Sequence, residues 1–329
     1  MTQLTKKGKS SLPSLAIGNT ELPVVISNAG ERATYRYVEF FTAQIRNPNT
    51  RRAYLGSTTQ FFEWLQENNL AIEDVHSIHV ATYIEILQQS DLSAPSVKQH
   101  LAAIRMLFDW LVTGHIIETN PATSVKGPKY VAKQGKTPIL TPEETRQLFD
   151  SIPTNTLIGL RDRAFIAVMV YTFGRVTAVS SMKVNDYYPQ GKRWWVRLHE
   201  KGGKRHEMPA HHTLEQYLDE YLDAAGIRDQ PKTPLFRTFS GGRKHVMTEN
   251  PMQQTYGWQM IQRRAREAGI DTKACNHTFR GTGITTYLSN NGTLEKAQQM
   301  AAHESPRTTK LYDRTNDAMS LDEIEKIII

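Results

Sequence analysis

The sequence predicts a mainly α protein of the α+β class. A helical N-terminal domain precedes a mostly helical C-terminal domain that carries a small antiparallel β-hairpin or sheet. Three observations predict this. Apolar residues recur at helical spacing from about 31 to 120, and the pattern breaks in a basic, proline-containing stretch at 118–140. Beyond the break, 193–210 alternates apolar and charged residues around a Gly-Gly turn. A chain of 329 residues also exceeds what a single core usually organises.

Residues 1–30 are rich in Ser, Thr, Gly, Asn and Pro, show no sustained periodicity, and are expected to form a flexible or loosely docked leader. No apolar run of the secretory type follows their lysines. Nowhere does the chain approach about 18 uninterrupted apolar residues, so a soluble, cytoplasmic protein is expected. A helical domain is expected over 31–120. In "TRRAYLGSTTQFFEWLQENN" Tyr54, Phe61 and Leu65 share a face, with Arg51 and Arg52 elsewhere. "HVATYIEILQQS" makes a second helix. "SAPSVKQHLAAIRMLFDWLVTGHI" makes the most regular one, with Val97, Leu101, Ile104 and Leu111 in its stripe and Lys98 and Arg105 on another face. Arg51, Arg52, Lys98 and Arg105 are candidate phosphate contacts, although each alone is as readily a solvated charge.

Three prolines, four lysines and two glycines mark 118–140, and a linker is expected over 121–137. The second domain is expected over 138–318. It opens on "TPEETRQLFDSI", where Thr141 caps, Pro142 is the first helical residue and Glu144 completes a capping box. The hairpin of this domain presents Lys201, Lys204 and Arg205 at its tip.

Forty Lys and Arg against 33 Asp and Glu give a net charge of +7, which favours an anionic partner, most commonly nucleic acid. Cys275 is the only cysteine, which excludes an intramolecular disulfide and a Cys-based zinc site.

Four segments stand out in the second domain. "YTFGRVTAV" holds Arg175 where one helix ends and another begins. The hairpin holds Lys201. "NHTFRGTGITTYL" holds His277 and Arg280, three apart and on one helical face. "AAHESPRTTKLYDRT" holds His303 and Tyr312. Each is weak alone, since an ion-paired arginine, a solvated lysine or a satisfied core histidine would read the same way.

In this order, with 23 residues from Arg280 to His303 and nine from His303 to Tyr312, they resemble the tyrosine recombinase, or phage-integrase, family. "EKGGKRHEMP" is similar to that family's catalytic hairpin. "SAPSVKQHLAAIRMLFDWL" is similar to the last helices of its SAM-like core-binding domain. The likeness covers about 31–318. It departs from the family at Ala178, where many members carry an acidic residue three positions after the first arginine.

The resemblance implies cleavage and rejoining of DNA at specific sites through a covalent 3′-phosphotyrosyl intermediate, with Tyr312 as nucleophile. Arg175 and Arg280 suit the transition state because a guanidinium binds phosphate oxygens through parallel hydrogen bonds. His303 adds a donor, His277 assists proton handling, and Lys201 protonates the leaving 5′-oxygen. No metal and no cofactor is expected, because the phosphotyrosyl bond retains the energy needed for rejoining. The implied partners are double-stranded DNA with recombination sites, further copies of the chain up to a tetramer on two sites, and accessory proteins in some settings. A nucleoid association on DNA follows, and no membrane partner. Lys204 and Arg205 join the candidate DNA contacts. Two alternatives share the pattern: a catalytically silent DNA-binding relative and a type IB topoisomerase-like enzyme that relaxes DNA. The tail, 319–329, ends in Ile324, Ile327, Ile328 and Ile329 and is expected to dock on its own domain or on a neighbouring protomer.

Overall fold

The computed structural model describes residues 22–131, 135–200, 203–241 and 246–313. The chain divides into two compact units, Met1–Val131 and Ala132–Ile329. Among the described residues no helix is long and apolar enough to cross a membrane.

The first unit is helical: α1 (Val24–Asn28), α2 (Glu31–Glu39, continued by a π-turn through Gln44), α3 (Pro48–Glu67), α4 (Ser77–Gln89) and α5 (Ala94–Thr113). Asn47 caps α3 by accepting from the Asn49 and Thr50 amides, and Pro48 takes the first helical position, where a missing N–H costs nothing. The core is aromatic, with Tyr37, Phe40, Phe41, Phe61, Phe62 and Phe108 packed largely edge to face. Two segments outside the expected helical domain pack with it. The segment expected as leader already contributes α1, whose Val25 and Ile26 are buried; an apolar cluster this short leaves no periodic trace. The expected linker begins too early, because Ala122 and Val125 are buried in the same core. α5 has already ended at Thr113, and the irregular chain beyond it still packs these side chains.

The second unit is built around α7 (Leu157–Tyr171), which packs against α9 (His212–Ala225) and α11 (Thr278–Ser289). The capping box at Thr141 and Glu144 starts α6 (Pro142–Ser151) as the sequence predicts. α7 is buried on every side from Gly159 to Met169, including Arg161 and Asp162. That is tolerable because Asp162 accepts from Arg161 (3.0 Å), Arg263 (2.8 Å) and Arg264 (2.9 Å), so the buried carboxylate is fully paired. β1 (Tyr187–Gln190), β2 (Arg193–His199) and β3 (Arg205–Pro209) form an antiparallel sheet in the order 1-2-3. The expected hairpin is its β2–β3 half, in a register that sets His199 opposite Arg205. A second ribbon pairs β4 (Arg237–Phe239) with β5 (Met247–Pro251). The remaining helices are α8 (Val176–Ser180), α10 (Gln254–Glu267), α12 (Leu294–Met300) and α13 (Pro306–Lys310).

Candidate active site

Arg175 occupies the N-cap of α8, just after a sharp turn. Phe173 sits in the left-handed region at φ 53°. Gly174 is closely surrounded, since a Cβ there would stand 3.0 Å from side-chain atoms of Leu198, Thr172 and Val179, which would have to give way by a few tenths of an ångström. The turn thus brings Arg175 against the end of β2, where its Nη1 donates to Oε2 of Glu200, the residue that follows the strand. Ala178, buried on α8, carries no charge, so the carboxylate that the sequence lacks at this position comes from the residue that follows β2.

Arg280, 1% exposed, organises the site. Its Nη1 donates to the Phe173 carbonyl and its Nη2 to the Ala301 carbonyl at 2.5 Å. One guanidinium therefore holds the turn before Arg175 and the turn before His303 together. Burial and the nearby positive charge of Arg175 lower its pKa to about 10, against the opposing pull of Glu200 and of Tyr312. Arg280 stays charged at neutral pH.

His303 is 8% exposed, and its Nδ1 lies 2.8 Å from the Thr309 hydroxyl. Burial, then Arg280 and Arg175, depress its pKa to about 3, so the ring is neutral. When Nδ1 accepts from Thr309, Nε2 carries the proton and is a donor. His277, at the N-cap of α11, is likewise shifted down by loss of solvent and by the same two arginines. Tyr312 follows α13 and is half-buried. Its amide donates to the Thr309 carbonyl (2.9 Å), and its carbonyl accepts from the Thr285 hydroxyl (2.8 Å). The ring lies over Gly281, where a Cβ would come within 3.2 Å of Cε1.

Arg175, His277, Arg280, His303 and Tyr312 are thus brought together, whereas Lys201 lies outside the described residues. Of the other tip residues, Lys204 pairs with Glu304 at 2.8 Å and Arg205 is exposed. An open cleft of about 500 Å³ beside them is lined by Lys204, Gln298, Gln299 and His303.

In the first unit Arg52 and Lys98 are exposed. Arg51 and Arg105 are half-buried, and their guanidiniums already engage backbone carbonyls. Arg51 donates twice to the Ile45 carbonyl (3.2 and 2.9 Å), and Arg105 to the Ala122 (3.1 Å) and Val125 (2.6 Å) carbonyls. Both guanidiniums satisfy carbonyls outside regular helix, where backbone donors are scarce; the Ala122 carbonyl also accepts from the Val125 amide. Sequence reasoning missed Glu200, Thr309 and the carbonyls of Phe173 and Ala301. Only Glu200 left a signal, as an acidic residue adjoining the candidate hairpin lysine where Ala178 lacks one.

Residues 138–319 match the model of the phage integrase family, and residues 36–115 match the phage integrase N-terminal SAM-like domain. Tyrosine recombinase XerD of Chlorobaculum tepidum is 27% identical over 283 residues, covering 84% of this chain and 89% of that protein. Tyrosine recombinase XerD of Listeria monocytogenes is 26% identical over 270 residues, covering 80% and 87%. The fold is similar to that of XerH site-specific recombinase bound to palindromic difH substrate, with a TM-score of 0.68 at 18% identity, covering 92% of this chain and 85% of that one. It is also similar to a lambda integrase dimer bound to a COC′ core site, with a TM-score of 0.66 at 15% identity, covering 92% and 85%. The helical order, the small sheet and the family match agree, and the chain belongs to the phage integrase family.

Proposed function

We propose that the protein is a site-specific DNA recombinase that cleaves and rejoins double-stranded DNA through Tyr312. The observation that carries this reading is the gathering of Arg175, Arg280, His277 and His303 around Tyr312, in a chain whose curated relatives are tyrosine recombinases.

The tyrosine oxygen attacks a scissile phosphate in line, and negative charge grows on the non-bridging oxygens. Arg280 is held from behind by two carbonyls, so its position is set before DNA arrives, and preorganised donors of this kind are where most transition-state stabilisation comes from. Arg175 supplies the second guanidinium. Neutral His303 donates through Nε2, and His277, also biased to the neutral form, accepts the phenol proton as attack proceeds. Lys201 gives a proton to the departing 5′-oxygen. The products are a 3′-phosphotyrosyl bond and a free 5′-hydroxyl. A second strand's hydroxyl then attacks that bond, so exchange consumes no nucleotide, and no step calls on a metal.

Arg52, Lys98, Lys204 and Arg205 are the candidate phosphate contacts that remain exposed or near-exposed at the surface. The partner is a DNA recombination site bound by several copies. The relatives support this: lambda integrase has been captured as a tetramer on a Holliday junction. The reading places the protein in the cytoplasm and on the nucleoid when bound to DNA. The tail 319–329 is outside the described residues except by sequence, and its docking on a neighbouring protomer belongs to the same proposal.

The test is covalent trapping. Wild type incubated with DNA should yield an SDS-resistant protein–DNA adduct, and Tyr312→Phe should bind but yield none. A persistent adduct in the variant would overturn the assignment. On a supercoiled plasmid bearing the trapped site, recombinants support the reading. Relaxation without recombinants would point to a topoisomerase-like activity, and binding alone to a silent relative.

A further inference from the structure

Glu200 has no role in the chemistry described so far, yet it is placed at its centre. Its side chain is 3% exposed and pairs with Arg175, whose side chain is 31% exposed. The Glu200 amide donates to the Lys204 carbonyl (2.8 Å), so the residue closes the base of the β2–β3 turn and reaches Arg175 across 25 positions of sequence. On α8 itself, buried Ala178 offers Arg175 no carboxylate.

We propose that Glu200 is a positioning residue for Arg175, holding one edge of the guanidinium so that its remaining N–H groups face the scissile phosphate. The inference rests on the recombinase reading of Arg175. Three physical points support it. Arg175 is open enough to solvent to swing, and a bond through Nη1 removes that freedom while leaving Nη2 and Nε available. A carboxylate this buried is costly without a cation, so the pair is mutually enforced. The cluster also holds two guanidiniums that repel, and the Glu200 charge offsets that repulsion, acting on Arg280 and on the neighbouring His206 as well as on Arg175. The end of β2 thereby supplies what the helix lacks.

The test uses the full chain and the DNA site recovered by sequencing covalently trapped DNA, synthesised as a nicked duplex. Single-turnover adduct formation is measured for Glu200→Gln, Arg175→Ala and the double variant, with binding followed by gel shift. Glu200→Gln should slow cleavage about 10–100-fold, the size of a lost charge-assisted hydrogen bond, with binding changed less than about threefold. In the Arg175→Ala background the same substitution should change cleavage less than about threefold, because the group it positions is gone. Wild-type cleavage by Glu200→Gln, or effects that multiply in the double variant, would overturn the inference. Should Glu200→Gln fold poorly, Glu200→Asp keeps the charge with a shorter reach. It should bind normally and cleave more slowly, and wild-type cleavage there would count against the proposal equally. Adduct formation by Tyr312→Phe would instead sink the recombinase reading itself, whatever the Glu200 variants do.

Discussion

The imidazole of His303 lies parallel to the phenol of Tyr312, with 10° between the ring planes and 6.0 Å between centroids. Thr309 joins the two, since its hydroxyl meets Nδ1 of His303 and its carbonyl accepts the Tyr312 amide. α13 is therefore a short mount that sets nucleophile and histidine together, and Pro306 at its first helical position with Ser305 as cap fixes where it starts.

The first prediction concerns pH. The folded-state pKa of His303, near 3, lies below the ordinary histidine value of about 6.5, so the unfolded chain binds the proton more readily. The stability this contributes is fully present above about pH 6.5 and is lost as pH falls from there towards 3. Urea midpoints measured between pH 8 and 4 should drop more steeply for wild type than for His303→Gln. Parallel curves would contradict the depressed pKa.

Arg280→Lys should show that the planar fork matters as well as the charge. Lysine cannot hold the Phe173 and Ala301 carbonyls and also face phosphate. Cleavage should fall at least about 100-fold, and stability should fall by about 1.5–3 kcal/mol as charged hydrogen bonds are lost. Binding to a full site should change far less, because phosphate contacts elsewhere remain. Near wild-type cleavage would mean that Arg280 is purely structural.

Two glycines of α11 should separate function from stability. A Cβ on Gly283 would stand 2.1 Å from the Val170 carbonyl oxygen, where α11 crosses α7. Gly283→Ala should destabilise the domain by about 3 kcal/mol or more. At Gly281 the nearest atoms to the Cβ would be those of the Tyr312 ring at 3.2 Å and the Ile139 side chain at 3.4 Å. Gly281→Ala should leave the melting temperature nearly unchanged, helped by alanine's helix preference, but displace the tyrosine and slow cleavage about tenfold. The reverse ranking would refute this division.

Lys201→Ala should bind DNA and cleave poorly, and a 5′-phosphorothiolate at the scissile position should restore cleavage because sulfur departs without protonation. Without rescue, the general-acid role moves to another group, with Lys204 the first to test. Wild-type cleavage should continue in EDTA, and a strict Mg²⁺ requirement would contradict the mechanism.

The linear sequence by itself determined the class, the two-part organisation and the residues named for chemistry. Those signals are local: apolar spacing in α5, the Thr141–Glu144 capping box, alternation in β2 and β3, and the order of Arg175, His277, Arg280, His303 and Tyr312. Tertiary structure decided what holds those side chains in place. Glu200 reaches Arg175 over 25 positions, and Arg280 reaches the carbonyls of Phe173 and Ala301 over 107 and 21. It also tied one edge of Arg51 and of Arg105 to backbone carbonyls, and drew Ala122 and Val125 into a core from a stretch that reads as linker. A helix cap or a strand alternation is written in neighbouring residues because the backbone geometry that needs it is local. A buried carboxylate or carbonyl takes whichever donor the packed chain brings within 3 Å or so, and that choice exists only once the chain has folded.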